Sequence, residues 1–240
     1  MSASEVFPPL HPQPALRLAA ALGGTLWTIG ALGHTRTPEL CAHRWARRTL
    51  RWMGVETRLL SPIPFGAQVW ASNHLSWLDP LIYLSLRPSM ALAKAEVAAY
   101  PLIGRGAQRI GLRFVNRACL FSRAAALHAM VRDLDAGEDF LLFPEGTTTT
   151  GEVLAPLYEG GLRMAYRLKV KLLPFRLASQ DAYYPWIGDD SLMPHLKRVV
   201  QNRSTRVTIQ PGPLLDPADW QDEDLWVQTI RTHLSAPAPV

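Results

Sequence analysis

Apolar positions recur with two different periods along this chain, and the change comes near residue 54. Before it lie two helical stretches. "LRLAAALGGTLWTIGALG", residues 16 to 33, carries a single charge, Arg17. As a helix, its uncharged run from Leu18 to Gly33 is about 24 Å long, short of a hydrocarbon core of about 30 Å, and Gly23-Gly24 weakens it further. The pattern predicts a shallow or re-entrant membrane helix, with a buried core helix as the alternative. No small-x-small cleavage site precedes a plausible mature start, which argues against a signal peptide. In "PELCAHRWARRTLRWMGV" (38–55), Arg44, Arg47, Arg48 and Arg51 fall at i, i+3, i+4 and i+7 and form one stripe. Trp45 and Trp52 occupy the neighbouring face. Cationic stems beside indoles suit the lipid headgroup layer. The alternative is a solvated arginine face with the tryptophans in the core.

Beyond residue 54 the apolar runs shorten. "GVETRLL" (54–60), "AQVWASN" (67–73), "SMALA" (89–93), "DFLLF" (139–143), "VKLLPFRL" (170–177) and "TRVTIQ" (205–210) predict strands. Helical patterns separate them at 80–87, 95–100, 122–136, 160–168 and 217–234. The last opens on acidic residues and closes on Arg231 and His233, as the helix dipole favours. This alternation predicts an α/β fold: a single domain with a mixed, largely parallel sheet flanked by helices, joined to N-terminal membrane-associated helices. The expected boundaries are a disordered N-terminus over 1–14, where four prolines fall, a membrane-associated helical region over 15–53, the α/β domain over 54–234 and a flexible tail over 235–240.

Composition adds three constraints. An apolar content of 48% is ample for one core. A net charge of +5, with a pI near 9.5, favours an anionic partner without naming it. Cys41 and Cys119 lack metal-ligand spacing, so a zinc site or disulfide framework is not expected and a reducing compartment is.

In open α/β sheets the chemistry sits at the carboxyl ends of strands. Asn73-His74 and Phe143-Pro144-Glu145 each follow a predicted strand. In "ASNHLSWLDP" (71–80), His74 and Asp79 would lie about 140° apart on a continuous helix, so pairing them needs a turn. Asp79-Pro80 supplies one, with Pro80 at the first helical position and Asp79 as N-cap. Folded back, the carboxylate meets the imidazole, fixes its tautomer and raises the basicity of the outward nitrogen, as a general base requires. The alternative is a capping aspartate beside an incidental histidine. A hydrolase triad on Ser76 is disfavoured, because no G-x-S-x-G elbow exists and Ser76 is only two residues from His74.

"FPEGTTTTG" (143–151) predicts a corner whose backbone N–H groups and threonine hydroxyls can hold an anion or a polarised carbonyl, while Glu145 accepts from a substrate hydroxyl. A surface turn is the plainer reading. In "GRGAQRIGLRFVNR" (104–117), Arg105, Arg109, Arg113 and Arg117 stand four apart, but Gly106 and Gly111 argue against one continuous helix. At least one is expected to reach an anionic group, as arginine matches phosphate by bidentate donation.

Taken in order, NHxSWLDP, K-A-E, P-L-I-G, GLRFVNR, FPEGT and LLPFRL resemble the lysophospholipid acyltransferase family, the HX4D glycerolipid O-acyltransferases. The likeness runs from residue 40 to 212. It implies a mixed-sheet α/β acyltransferase docked to the membrane by N-terminal helices. His74 would deprotonate the acceptor hydroxyl with Asp79 orienting it, and the alkoxide would attack an acyl thioester without a covalent enzyme intermediate. Arg117, Glu145, Gly146, Thr147 and Lys94 would bind the acceptor, and Pro174 would serve the acyl donor or packing. No bound cofactor or metal is implied; acyl-CoA or acyl-[acyl carrier protein] is the co-substrate.

One departure bears on the acceptor. Family members that acylate lysophosphatidate often carry arginine directly after FPEGT, where this chain has Thr148. "WIGDDSLMPHLKRVV" (186–200) also resembles the branch that acylates lyso-ornithine lipid and related aminolipids. The expected activity is therefore acylation of 1-acyl-sn-glycerol-3-phosphate to phosphatidic acid, with a lyso-ornithine acceptor as the alternative. An anionic membrane surface is the expected partner, at the cytoplasmic face of the plasma membrane. A catalytically idle membrane-binding protein is the alternative from another class, and the intact His74, Asp79 and Pro-Glu-Gly corner argue against it. Nucleic acid is not expected, since no basic-aromatic binding pattern is present.

Overall fold

Strands of three to seven residues, apolar on both faces in the middle of the set, assemble into one sheet sandwiched between helices. The computed structural model describes residues 13–32, 38–94, 112–116, 119–188 and 190–237. In chain order the elements are α1 (Pro14–Leu32), α2 (Pro38–Met53), β1 (Val55–Leu59), β2 (Val69–Ser72), α3 (Asp79–Leu86), β3 (Met90–Lys94), β4 (Leu112–Val115), α4 (Leu120–Asp135), β5 (Phe140–Leu142), α5 (Gly160–Arg167), β6 (Leu172–Ala178), α6 (Leu192–Gln201), β7 (Thr205–Pro211) and α7 (Glu223–Leu234). The sheet order is β1-β7-β6-β2-β5-β3-β4, parallel throughout except for the β6–β7 pair. The expected α/β architecture is observed.

Every residue of β2, β5 and β6 is buried, as both faces of a central parallel strand must be. Strand periodicity divides their side chains between two cores. Trp70, Leu173, Phe175 and Leu177 pack with α2 and α3 residues such as Leu50, Met53 and Ile82. Val69, Ala71, Phe140 and Leu172 face Met130, Leu162, Trp226 and Ile230 of α4, α5 and α7. Because β2, β5 and β6 run parallel and adjacent, their carboxyl ends share one rim of the sheet.

Three sequence expectations change. Leu112–Val115, within the basic stretch, forms the edge strand β4. The apolar face of α6 was not anticipated, because Pro194 and the flanking aspartates mask its period. The helix expected over 217–234 is broken: Pro217–Asp219 is one 3-10 turn, and Asp222 then caps α7 by accepting from the Asp224 and Leu225 amides. The helix expected over 95–100 lies outside the described residues, as do residues 1–12 and 238–240.

Arg17, the one charge of α1, is 2% exposed and serves the fold. Its guanidinium donates to the carbonyls of Trp52 (3.0 Å) and Met53 at the end of α2, and of Asn202 (2.6 Å) after α6. A cation there satisfies terminal helix carbonyls and opposes the helix dipole. Gly54, at φ +69°, leaves room for it, since a Cβ there would collide with the guanidinium. No helix among the described residues is long and apolar enough to cross a membrane.

Candidate active site

The site forms where β2 leaves the sheet. Asn73 is wholly buried and bonds across to β6 like a backbone rung, donating to the Leu177 carbonyl (3.0 Å) and accepting its N–H (2.7 Å). The chain must then turn at His74, and its backbone is clamped on both sides by the loop after β5. The His74 N–H donates to Glu145 Oε1 (2.8 Å), and its carbonyl accepts from the Thr149 N–H (2.8 Å). The imidazole stacks on Phe143 with centroids 4.1 Å apart.

Asp79 faces this ring. His74 Nδ1 lies 2.9 Å from Asp79 Oδ2, which also accepts the N–H groups of Leu75 (2.6 Å) and Ser76 (2.9 Å). Tyr184, beyond β6, donates its hydroxyl to Oδ1 at 2.5 Å. A carboxylate only accepts, so Nδ1 carries the proton and Nε2 presents its lone pair outward. The His74 side chain is 14% exposed and that of Asp79 0%, so the edge of the ring reaches the surface while its partner stays dry. The sequence-based pairing of His74 with Asp79 is present in the geometry. The capping role is not: Leu78 occupies the N-cap, Asp79 is the first helical residue, and its carboxylate turns back to the loop.

Glu145 also departs from expectation. It is 2% exposed, and its second oxygen accepts the Ala155 N–H (2.9 Å), so both oxygens hold backbone amides. Its charge is balanced by buried Arg176, whose pKa burial lowers and Glu145 raises. Arg176 donates to the Gly151 carbonyl and, at 3.0 Å, to that of Ala236. Gly146 turns the corner at φ +67°, and its N–H closes that turn on the Phe143 carbonyl (3.0 Å), so it is not offered to an anion. Thr148 donates to the Trp186 carbonyl, whereas Thr147 is exposed.

The remaining expected positions divide. Lys94 ends β3, two strands from β2 at the same rim. Pro174 is buried within β6 opposite Ala71, a packing position. Arg105, Arg109 and Arg117 lie outside the described residues. Tyr184, which sequence reasoning passed over, has no local signal: it stands 105 positions from Asp79 and reaches it only through the fold.

A dry carboxylate, an oriented imidazole and an open Nε2 at the carboxyl rim of the sheet form the arrangement that the class of enzymes activating a hydroxyl by general-base catalysis requires. Comparison with known proteins narrows this class. The acyltransferase family description matches residues 55–178. Lyso-ornithine lipid O-acyltransferase of Pseudomonas aeruginosa is 34% identical over 75% of this chain and 70% of its own length. The 1-acyl-sn-glycerol-3-phosphate acyltransferase of Neisseria gonorrhoeae is 26% identical over 77% and 74%. The crystal structure of the lysophosphatidate acyltransferase PlsC from Thermotoga maritima shares the fold, with a TM-score of 0.66, 16% identity, and coverage of 91% of this chain and 95% of that one. The chain belongs to the acyltransferase family and is an acyltransferase of the lysophospholipid type.

Proposed function

We propose that this enzyme moves a fatty acyl group from a thioester, acyl-CoA or acyl-[acyl carrier protein], to the free hydroxyl of a lyso-ornithine-type aminolipid. His74 Nε2 takes the hydroxyl proton, the oxygen attacks the thioester carbon, and the imidazolium formed beside Asp79 returns the proton to the departing thiolate. The order of acceptors reverses that drawn from sequence. The observation that carries the reversal is Thr148: it offers no cation where phosphate-reading relatives often have arginine, and its hydroxyl is engaged by the Trp186 carbonyl. The 34% identity to a lyso-ornithine lipid enzyme supports it. Lysophosphatidate is the second reading, supported by the Neisseria relative.

An acceptor panel with both thioester donors tests this. The wild type should use lyso-ornithine lipid at least about tenfold better than lysophosphatidate, in kcat/KM. Thr148→Arg should improve lysophosphatidate use by about tenfold, the worth of one charge-assisted contact, and leave the aminolipid unimproved. A wild type that prefers lysophosphatidate and ignores Thr148→Arg returns the second reading to first place.

The same reading places the enzyme on an anionic membrane at its cytoplasmic face, where acyl thioesters and free thiols such as Cys41 and Cys119 coexist. Outward Leu22 and Leu26 of α1, 46% and 50% exposed, and exposed Arg44, Arg47 and Arg48 of α2 support shallow docking. Trp45 instead turns inward to donate to Thr25 Oγ1 of α1 (3.0 Å). Replacing Arg44, Arg47 and Arg48 with glutamine should weaken binding to anionic vesicles by about 1 kcal/mol per charge in a flotation assay at low salt. Unchanged partitioning would make this face ordinary solvated surface.

A further inference from the structure

The segment between β6 and α6 straps the catalytic loop from outside. Trp186 donates its backbone N–H to the Leu75 carbonyl at 2.8 Å. Trp77, inside the 74–79 loop, donates Nε1–H to His195 Nδ1 at 2.9 Å, and His195 Nε2 lies 3.0 Å from the Tyr184 carbonyl. Indole N–H can only donate, so Nδ1 of His195 accepts and Nε2 carries the hydrogen given to Tyr184. His195 is wholly buried, and burial lowers its pKa, which keeps it neutral. Tyr184 is equally buried, and its pKa is raised well above the usual value, first by burial and then by the charge of Asp79, so its phenol remains a donor. A closed circuit results, from the loop through Trp77, His195 and Tyr184 back to Asp79.

We infer that Tyr184 is a positioning residue of the His74–Asp79 pair: its phenol holds Oδ1, keeps Oδ2 turned to His74 Nδ1, and draws off part of the carboxylate charge. Among the described residues, Glu145 sits on the His74 amide, Tyr83 of α3 donates to Ser72 (2.7 Å), and His195 stands behind Tyr184, with Arg176 acting on Glu145 and Arg198 and Asp190 on His195 from beyond. Neither Glu145 nor Tyr83 bonds to an Asp79 oxygen. With the phenol hydroxyl removed, buried Oδ1 loses its donor and the carboxylate is no longer held in the rotamer that turns Oδ2 to His74 Nδ1.

The kinetic arm of the test rests on the acyl-transfer reading; the spectroscopic arm does not. In the NMR spectrum of the full chain, the His74 Nδ1–H resonance, which reports the bond to Asp79, should move in Tyr184→Phe. With the preferred acceptor, kcat should fall about tenfold while both KM values stay within about twofold, and Tyr184→Phe should cost nothing further in an Asp79→Ala background, where the phenol has no carboxylate to hold. An unmoved resonance, or an equal loss in that background, overturns the inference. Should Tyr184→Phe fail to fold, the circuit is tested at its other end. His195→Leu should move the His74 resonance, whereas His195→Gln, whose amide can accept from Trp77 and donate to Tyr184, should restore it; identical resonances in the two overturn it. A wild type that acylates no acceptor refutes the functional reading and leaves the resonance to decide this one.

Discussion

His74→Ala is expected to lower turnover by roughly 10²–10⁴-fold, the usual contribution of a positioned general base. The ring is the only group of the 71–80 loop that combines a dry, charged partner with an exposed edge. Its removal leaves the scaffold standing, because the clamps on the loop run through the His74 backbone, to Glu145 and Thr149, and not through the imidazole. The melting temperature should therefore move little. Initial-rate measurements with saturating acceptor and donor check the first expectation and a thermal melt the second. A folded His74→Ala protein with near-wild-type turnover would remove the mechanism.

Asp79→Asn should separate charge from geometry. Oδ2 receives three N–H groups, so the amide oxygen of an asparagine must take that place, and its amino group then faces Tyr184, whose hydroxyl can rotate to accept. The imidazole tautomer survives while the countercharge is lost. Without the charge that stabilises the imidazolium formed during the reaction, turnover should fall roughly 10–10³-fold while the melting temperature moves little. Asp79→Ala goes further. It strands two buried backbone N–H groups and the Tyr184 hydroxyl, each costing about 1–3 kcal/mol, and the melting temperature should drop with activity. A folded Asp79→Asn protein with wild-type turnover would mean that the carboxylate does not govern His74.

The features legible in the sequence were those whose causes act over a few residues. Short apolar runs between helical patterns specified the α/β class, since strand and helix periods are properties of ten-residue windows. His74, Asp79 and Pro80 announced a turn with a carboxylate in reach, and Gly146 marked a corner, because turn chemistry is local. Even there the local rule misassigned Asp79 as a cap, since a carboxylate at the start of a helix can serve either its own helix or a neighbouring ring, and the number of donors offered decides.

What remained open depended on which strands became neighbours. The chain alone presents Glu145 as an acidic side chain after a strand, equally suited to a substrate hydroxyl or a backbone amide. Placing β2 between β5 and β6 brings the His74 and Ala155 amides to it and uses both of its oxygens. The same placement lets Asn73 lock onto Leu177 and Tyr184 onto Asp79, across 104 and 105 positions of sequence. Arg17 reads as the lone charge of an apolar helix until the ends of α2 and α6 converge on it. Residue types and local spacing determined that this chain carries a base and a carboxylate at a strand end. Sheet order, set by burial of β2, β5 and β6 on both faces, decided which polar groups must satisfy one another there, because a buried donor or acceptor takes its partner from the element packed beside it.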